Sequence, residues 1–190
     1  MNKKFVVLLF GAPAAGKRTI GRKLEEKYGS YLLDNHHFNN VIMPFVDVNG
    51  DTLLDICPAV YKIRTLFLDV VKKHYKKDGP QSYVFTNVLI DDPVDYGAFE
   101  ELKGFAEDIG AVFFPIELNC QTDILCQRID TPERVARYKL TDAEILKSFL
   151  ERFKMATISH PNLLRIDCTH QTPDETLSVI QKHIDSILNG

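Results

Sequence analysis

Phe5-Val6-Val7-Leu8-Leu9-Phe10-Gly11-Ala12-Pro13-Ala14-Ala15-Gly16-Lys17-Arg18-Thr19 is the stretch from which the rest of the chain can be read. Its first six residues are continuously apolar, as a strand covered on both faces of a parallel sheet requires. A turn of small residues follows, and then Ile20, Leu24 and Tyr28 recur at the spacing of one helix face, which predicts a helix over 17–28. Strand, glycine-bounded loop and helix, spelled G-x-x-x-x-G-K, let backbone N–H groups close on phosphate oxygens while the helix N-terminus adds partial positive charge. Lys17 contributes a point charge suited to the β- and γ-phosphates of a nucleoside triphosphate and is a candidate catalytic residue. Gly11, Ala12, Pro13, Ala14, Ala15, Gly16, Lys17, Arg18 and Thr19 are therefore candidate nucleotide-binding residues. A plain glycine turn between strand and helix is the bland alternative, but it leaves the small residues and the lysine unexplained.

Working outward, short apolar runs alternate with longer segments of helical period, the pattern of a parallel sheet with right-handed crossovers. Five strands are predicted, over 5–10, 31–33, 83–89, 112–118 and 163–167. Helices are predicted over 17–28, 53–76, 94–109, 122–129, 142–157 and 173–188. Thr141 with Glu144 and Thr172 with Glu175 read as capping boxes. The 190 residues form an α/β chain of ordinary composition, which predicts one domain over 1–190 with helices on both faces of a five-stranded parallel sheet. A net charge of -3 argues against a nucleic acid polymer as partner. No apolar run approaches the roughly 20 residues of a membrane span. Met1 to Lys4 lead into a strand rather than a cleavable leader, so a cytoplasmic protein, monomer or homodimer, is expected. Cys57, Cys120, Cys126 and Cys168 are scattered without a C-x-x-C pair and read as reduced thiols rather than zinc ligands.

One position departs from the general phosphate-loop pattern. Arg18 stands where Ser or Thr would ligand magnesium, and the hydroxyl comes one place later as Thr19. In this form, G-x-P-x-x-G-K-x-T, the loop resembles that of adenylate kinase and its relatives among the small-molecule P-loop kinases. The resemblance implies a three-layer α/β/α P-loop NTPase fold with a small lid, ATP as phosphoryl donor, and Mg2+ held largely through water. Thr19 is then the candidate phosphate and metal contact, while Arg18, on the first helical turn, faces either the phosphates or solvent.

The acceptor side is read from the strand tips. No N-K-x-D motif occurs, which disfavours a GTPase. After the second strand, Asp34-Asn35-His36-His37 places a carboxylate and imidazoles where open α/β sheets bind ligands. Asp34 resembles the acceptor-site aspartate of shikimate kinase, gluconate kinase and the chloramphenicol phosphotransferases, although the second acid of the D-x-D pattern is His36 here. The resemblance implies that Asp34 accepts the proton of an acceptor hydroxyl or orients it; a turn cap is the alternative. His36, Thr86 and Asn87 at the strand tips and Arg64 on the following helix are candidate acceptor contacts within a region of about 34–64. An acid after an apolar strand can hold magnesium through water, but Asp91 and Asp92 come some residues past Thr86 and Asn87 at the strand tip, and at least one of them reads as a helix N-cap. Met43, Pro44, Phe45 and Val46 in the insertion over 38–56 point to an apolar pocket and an acceptor that is not purely polyanionic.

Beyond the fourth strand, Arg128, Arg134, Arg137 and Lys139 surround a proline-marked break at Pro132. They resemble the arginine-bearing lid of the same kinases, over about 128–141, with Arg128 and Arg134 leading as catalytic candidates and Arg137 and Lys139 as alternates. A solvated basic face balanced by Glu117, Glu133 and Asp142 is the other reading. The resemblance implies that Cys168 to Gln171 border the adenine. Taken together, these features imply an ATP-dependent phosphotransferase moving the γ-phosphoryl group to a small-molecule hydroxyl or phosphate acceptor. The alternative is a P-loop ATP-binding regulator or ATPase without such an acceptor.

Overall fold

A computed structural model describes residues 4–47, 50–74 and 82–190. Five strands, β1 (Phe5–Phe10), β2 (Tyr31–Asp34), β3 (Tyr83–Asn87), β4 (Val112–Asn119) and β5 (Leu164–Asp167), form one parallel sheet in the order β2-β3-β1-β4-β5. The helices are α1 (Lys17–Tyr28), α2 (His36–Asn39), α3 (Gly50–Lys73), α4 (Pro93–Asp108), α5 (Thr122–Ile129), α6 (Pro132–Val135), α7 (Ala143–Arg152) and α8 (Pro173–Asn189), with a 3₁₀ turn at Met43–Phe45. This is the α/β/α architecture anticipated from the alternation of strand and helix patterns.

Alternation along β1 divides the core in two. Phe5, Val7 and Leu9 pack on one face with Ile20 and Leu24 of α1, Leu125 of α5, Leu146 of α7 and Ile180 and Ile184 of α8. Val6, Leu8 and Phe10 pack on the other with Val60 and Leu68 of α3 and Phe99 and Leu102 of α4. All six residues of β1 are buried, because both of its faces are covered and both of its edges are paired, to β3 and β4. The carboxyl ends of β1, β2 and β3 therefore sit side by side, with Leu9 beside Thr86 and Thr86 beside Asp34 in register.

Several boundaries move. β3 ends at Asn87 rather than Leu89, its Oδ1 accepting from the Val88 N–H at 2.9 Å. The helix expected over 142–157 stops at Arg152, because the chain beyond it pairs with the segment after β3. Asp91 N–H donates to the Lys154 carbonyl at 2.9 Å and Ala156 N–H to the Leu89 carbonyl at 3.0 Å. That helix starts from Asp142, whose side chain accepts from the N–H groups of Glu144 and Ile145, so the cap lies one residue past Thr141. The Thr172–Glu175 capping box is present at α8, and Asp92 caps α4. α3 starts at Gly50, three residues before the expected Leu53, and Tyr75 and Lys76, expected at its end, lie outside the described residues. Met1 to Lys3 also lie outside them, as do Val48 and Asn49 of the insertion. In that insertion Met43 is buried in the protein, whereas Phe45 is 82% exposed. No described helix is long and apolar enough to cross a membrane.

Candidate functional site

The loop after β1 is shaped by its glycines. Gly11 has φ 140°, and a Cβ there would lie 2.3 Å from the Leu118 carbonyl oxygen on the neighbouring β4, so a side chain is excluded both by conformation and by contact. Ala14 and Gly16 also have positive φ, 66° and 88°. The resulting turn wraps around the α1 N-terminus, where N–H groups without intrahelical partners converge on the space above the loop. Lys17 folds back over it, its Nζ donating to the Gly11 and Ala12 carbonyls at 2.7 Å each. Burial, with Lys139 and Arg134 close by, lowers its pKa to about 7 against a partial counter-effect from Asp34.

Asp34 is the electrostatic centre of the site. It is buried, its Oδ1 accepting from Thr86 Oγ1 at 2.9 Å. Its Oδ2 is held by Lys139 Nζ at 2.8 Å and by Arg18 Nη1 at 3.3 Å. Burial alone would raise its pKa, but the Lys139 charge and hydrogen bond outweigh it and hold the carboxyl well below the usual carboxylate range. Arg18 reaches further, its Nε meeting Glu133 Oε1 of α6 at 3.1 Å. Two contacts thus dock the segment over 131–140 onto the start of α1 and the tip of β2, Glu133 to Arg18 and Lys139 to Asp34.

The segment expected as a lid is itself compactly folded. Thr131 precedes Pro132 at the first turn of α6, where the missing proline N–H costs no helical bond. Arg134 donates from Nε and Nη2 to the Leu140 carbonyl at 3.0 and 2.7 Å. Together with the left-handed Tyr138 (φ 53°), this folds the chain back so that Lys139 faces Asp34. Among the lid cations it is Lys139, ranked only as an alternate on sequence, that touches Asp34. Arg134 shapes the lid and stands close enough to Lys17 and Asp34 to act on their charges. Arg137 pairs with Glu133 at 3.5 Å. Arg128 lies apart from this cluster, donating to the Cys168 and Thr169 carbonyls at 3.4 and 3.2 Å and bridging α5 to the loop after β5.

The remaining candidates fall into two groups. His36 sits beside Asp34, and burial with the nearby Lys139 charge lowers its pKa to about 4, so its ring is neutral at pH 7. Thr86 belongs to the Asp34 cluster. Asn87, on the opposite face of β3, donates to the Tyr61 hydroxyl at 3.4 Å, and Tyr61 in turn hydrogen-bonds Asp95 Oδ1. Arg64 is 2% exposed, paired with Glu101 at 2.7 Å and stacked 4.5 Å over the Tyr61 ring. Tyr61, Asp95 and Glu101 had no motif to announce them; only the packing of α3 on α4 brings them to Asn87 and Arg64.

The donor chemistry separates a phosphate chain from a metal. The left-handed loop, the free helix N-terminus and the surplus of cations over carboxylates fit a nucleotide's phosphates. Magnesium needs oxygen ligands. Thr19, the expected ligand, is exposed on α1. Arg18 has donors only, and both Asp34 oxygens are engaged. No group of three or more His, Cys, Asp or Glu among the described residues could hold a metal ion. The described residues around the loop therefore supply magnesium no ready-made set of direct carboxylate or imidazole ligands.

No protein-family model matches the sequence, and no curated protein does either. Solved structures match along nearly its whole length. A Chloroflexus aurantiacus protein to which kinase activity has been ascribed aligns with 98% of this chain and 98% of its own at 17% identity and TM-score 0.65. A gluconokinase from Sinorhizobium meliloti 1021 aligns over 99% and 95% at 11% identity and TM-score 0.59. The Mycobacterium tuberculosis APS kinase, solved with AMPPNP and APS, aligns over 97% and 99% at 14% identity and TM-score 0.55. At these identities the likeness shows the fold, which is that of the P-loop kinases.

Proposed function

We propose that this protein is an ATP-dependent phosphotransferase that moves the γ-phosphoryl group to a small-molecule acceptor. The observation that carries the reading is the convergence, on one sheet edge, of a phosphate-shaped backbone loop, a group of cations (Lys17, Arg18, Arg134, Lys139) and the buried carboxylate of Asp34. A carboxylate at the tip of β2 is placed to orient the hydroxyl that attacks the phosphoryl group, of an acceptor or of water, and the acceptor panel below separates the two. The kinase fold of the structural neighbours, one of them solved with the ATP analogue AMPPNP, supports the same reading.

In this proposal the loop amides and Lys17 Nζ hold the phosphate chain, with Lys17 leaving the Gly11 and Ala12 carbonyls to do so. Lys139 and Arg134 neutralise charge on the phosphoryl group in transit, most of the catalysis being position and electrostatics. Asp34, held far below the usual carboxylate range, is a poor proton acceptor in the ground state and serves to aim an acceptor hydroxyl. His36 enters as a neutral hydrogen-bonding group beside it. Arg64, the arginine that a phosphate or carboxylate acceptor would use, is already matched to Glu101, which favours a hydroxyl acceptor without a strong anionic group. Arg128 and the segment from Cys168 to Gln171 border the base. The lid over about 128–141 and the acceptor region over about 34–64 belong to one domain.

The test is thermal unfolding with ATP, GTP or neither, followed by ADP release over a panel of nucleosides, nucleotides, sugars and amino alcohols. ADP release that rises only with one acceptor class establishes the phosphotransferase and names its acceptor. Hydrolysis indifferent to every acceptor favours an ATPase or a regulator, and no stabilisation by any nucleotide overturns the reading.

A further inference from the structure

We infer that Arg18 stands in for a protein-held metal ion at the phosphate chain, so that this protein binds its nucleotide without needing a divalent cation. The inference rests on the proposed nucleotide site and concerns a residue at which the loop departs from its general pattern. Three observations carry it. Arg18 occupies the position after Lys17 that would otherwise offer a hydroxyl ligand, and its side chain turns into the site, 11% exposed, instead of into solvent. Its guanidinium is fixed from two sides, by Asp34 Oδ2 at 3.3 Å and Glu133 Oε1 at 3.1 Å, beside the lysine that meets the phosphates. The hydroxyl of the first turn of α1 stands at Thr19, one place past the position that would ligand the ion, and the buried carboxylate nearby, Asp34, is already shared among Thr86, Arg18 and Lys139.

A guanidinium supplies what the ion would supply to the phosphates, positive charge and a fixed geometry, through planar N–H donors that match phosphate oxygens two at a time. It also repels a cation brought to the same place. Because Lys139 shares Asp34 with it, Arg18 can turn toward the phosphates without leaving that carboxylate unpaired. The exchange is aided by the other partner, Glu133, whose side chain is 66% exposed and is readily rehydrated.

The experiment is isothermal titration of the 190-residue chain with ATP, once with excess EDTA and once with magnesium chloride, for the wild type, Arg18→Ser and Arg18→Lys. The wild type is expected to bind equally well in both buffers, within about threefold. Arg18→Ser, which restores the hydroxyl, is expected to lose at least about tenfold in EDTA, the scale of one charge-assisted contact, and to recover with magnesium. Arg18→Lys, which keeps the charge but not the planar fork, falls between them. Wild-type binding that appears only with magnesium overturns the inference while leaving the phosphotransferase reading intact. An Arg18→Ser protein as indifferent to magnesium as the wild type also overturns it. Absence of ATP binding in either buffer overturns both. Unfolding curves of each variant confirm that the titrated protein is folded.

Discussion

Arg18 and Arg64 are both arginines with little exposed side chain, and both are paired with carboxylates, yet they do opposite work. Arg64 meets Glu101 one to one, lies over Tyr61 and joins α3 to α4. Its charge is cancelled and its surroundings are closed. Arg18 shares Asp34 with Lys139 and reaches a solvent-exposed Glu133, in a place where cations outnumber acids. Matched charges in a packed setting hold a scaffold together. Unmatched charges around a shaped backbone loop suit the phosphate chain of the proposed function, which would take up the charge that the protein's own acids leave unpaired.

The largest expected effect lies on the unmatched side. At nucleotide a hundredfold above its dissociation constant, ATP is expected to raise the wild-type melting temperature by roughly 5–10 °C, and Lys17→Ala to abolish that rise in a thermal unfolding assay. A full rise in the variant would mean that the loop lysine is not a phosphate ligand. On the matched side, Arg64→Met takes from Glu101 its cation, leaving it the Thr65 hydroxyl, and is expected to cost about 2–3 kcal/mol by urea unfolding, discounted because Glu101 is partly hydrated, with ATP affinity unchanged. Arg18→Met is expected to cost under about 1 kcal/mol, because Asp34 keeps Lys139 and Thr86. Equal costs at the two arginines would erase the contrast.

A pH series sharpens it further. Burial lowers the Lys17 pKa from 10.5 to about 7 in the folded protein, so folding favours the neutral amine. That disadvantage is full below about pH 7 and fades as pH rises from about 7 toward 10.5, the unfolded value. Stability of the wild type relative to Lys17→Met should therefore rise with pH across this window. ATP affinity should move the other way, falling above about pH 7, since phosphates bind the protonated amine. A flat difference between the two proteins over that range would remove the buried lysine from the account. The smallest effect belongs to Glu133→Gln, at an exposed pair: a stability change within about 0.5 kcal/mol and a change in nucleotide KM of no more than about twofold.

How much could be read beforehand follows from how far apart in sequence the interacting groups lie. The six apolar residues of β1, the glycines that follow and the period of α1 are local signals, and both β1 and α1 fall on their expected residues. The extension of α7 to residue 157 failed because residues 154 and 156 bond to 91 and 89 instead, a pairing that no local period records. Thr86 and Asp34 could be nominated as strand tips, since order and alternation place both at one edge. That Lys139 rather than Arg128 would meet Asp34 depends on the Arg134–Leu140 bond folding the lid back. Tyr61, Asp95 and Glu101 had no signal at all, being ordinary helix residues until α3 packs on α4.

The sequence by itself determined the phosphate loop, because a loop made of backbone N–H groups needs only consecutive residues of the right size and one lysine at a fixed offset. Tertiary structure alone decided what surrounds it. Asp34 and Lys139 are 105 positions apart, and Arg18 and Glu133 are 115. A charge in a sequence carries no direction, so whether it is cancelled, shared or left in surplus is settled only when the sheet order and the folded lid bring those distant side chains to one edge.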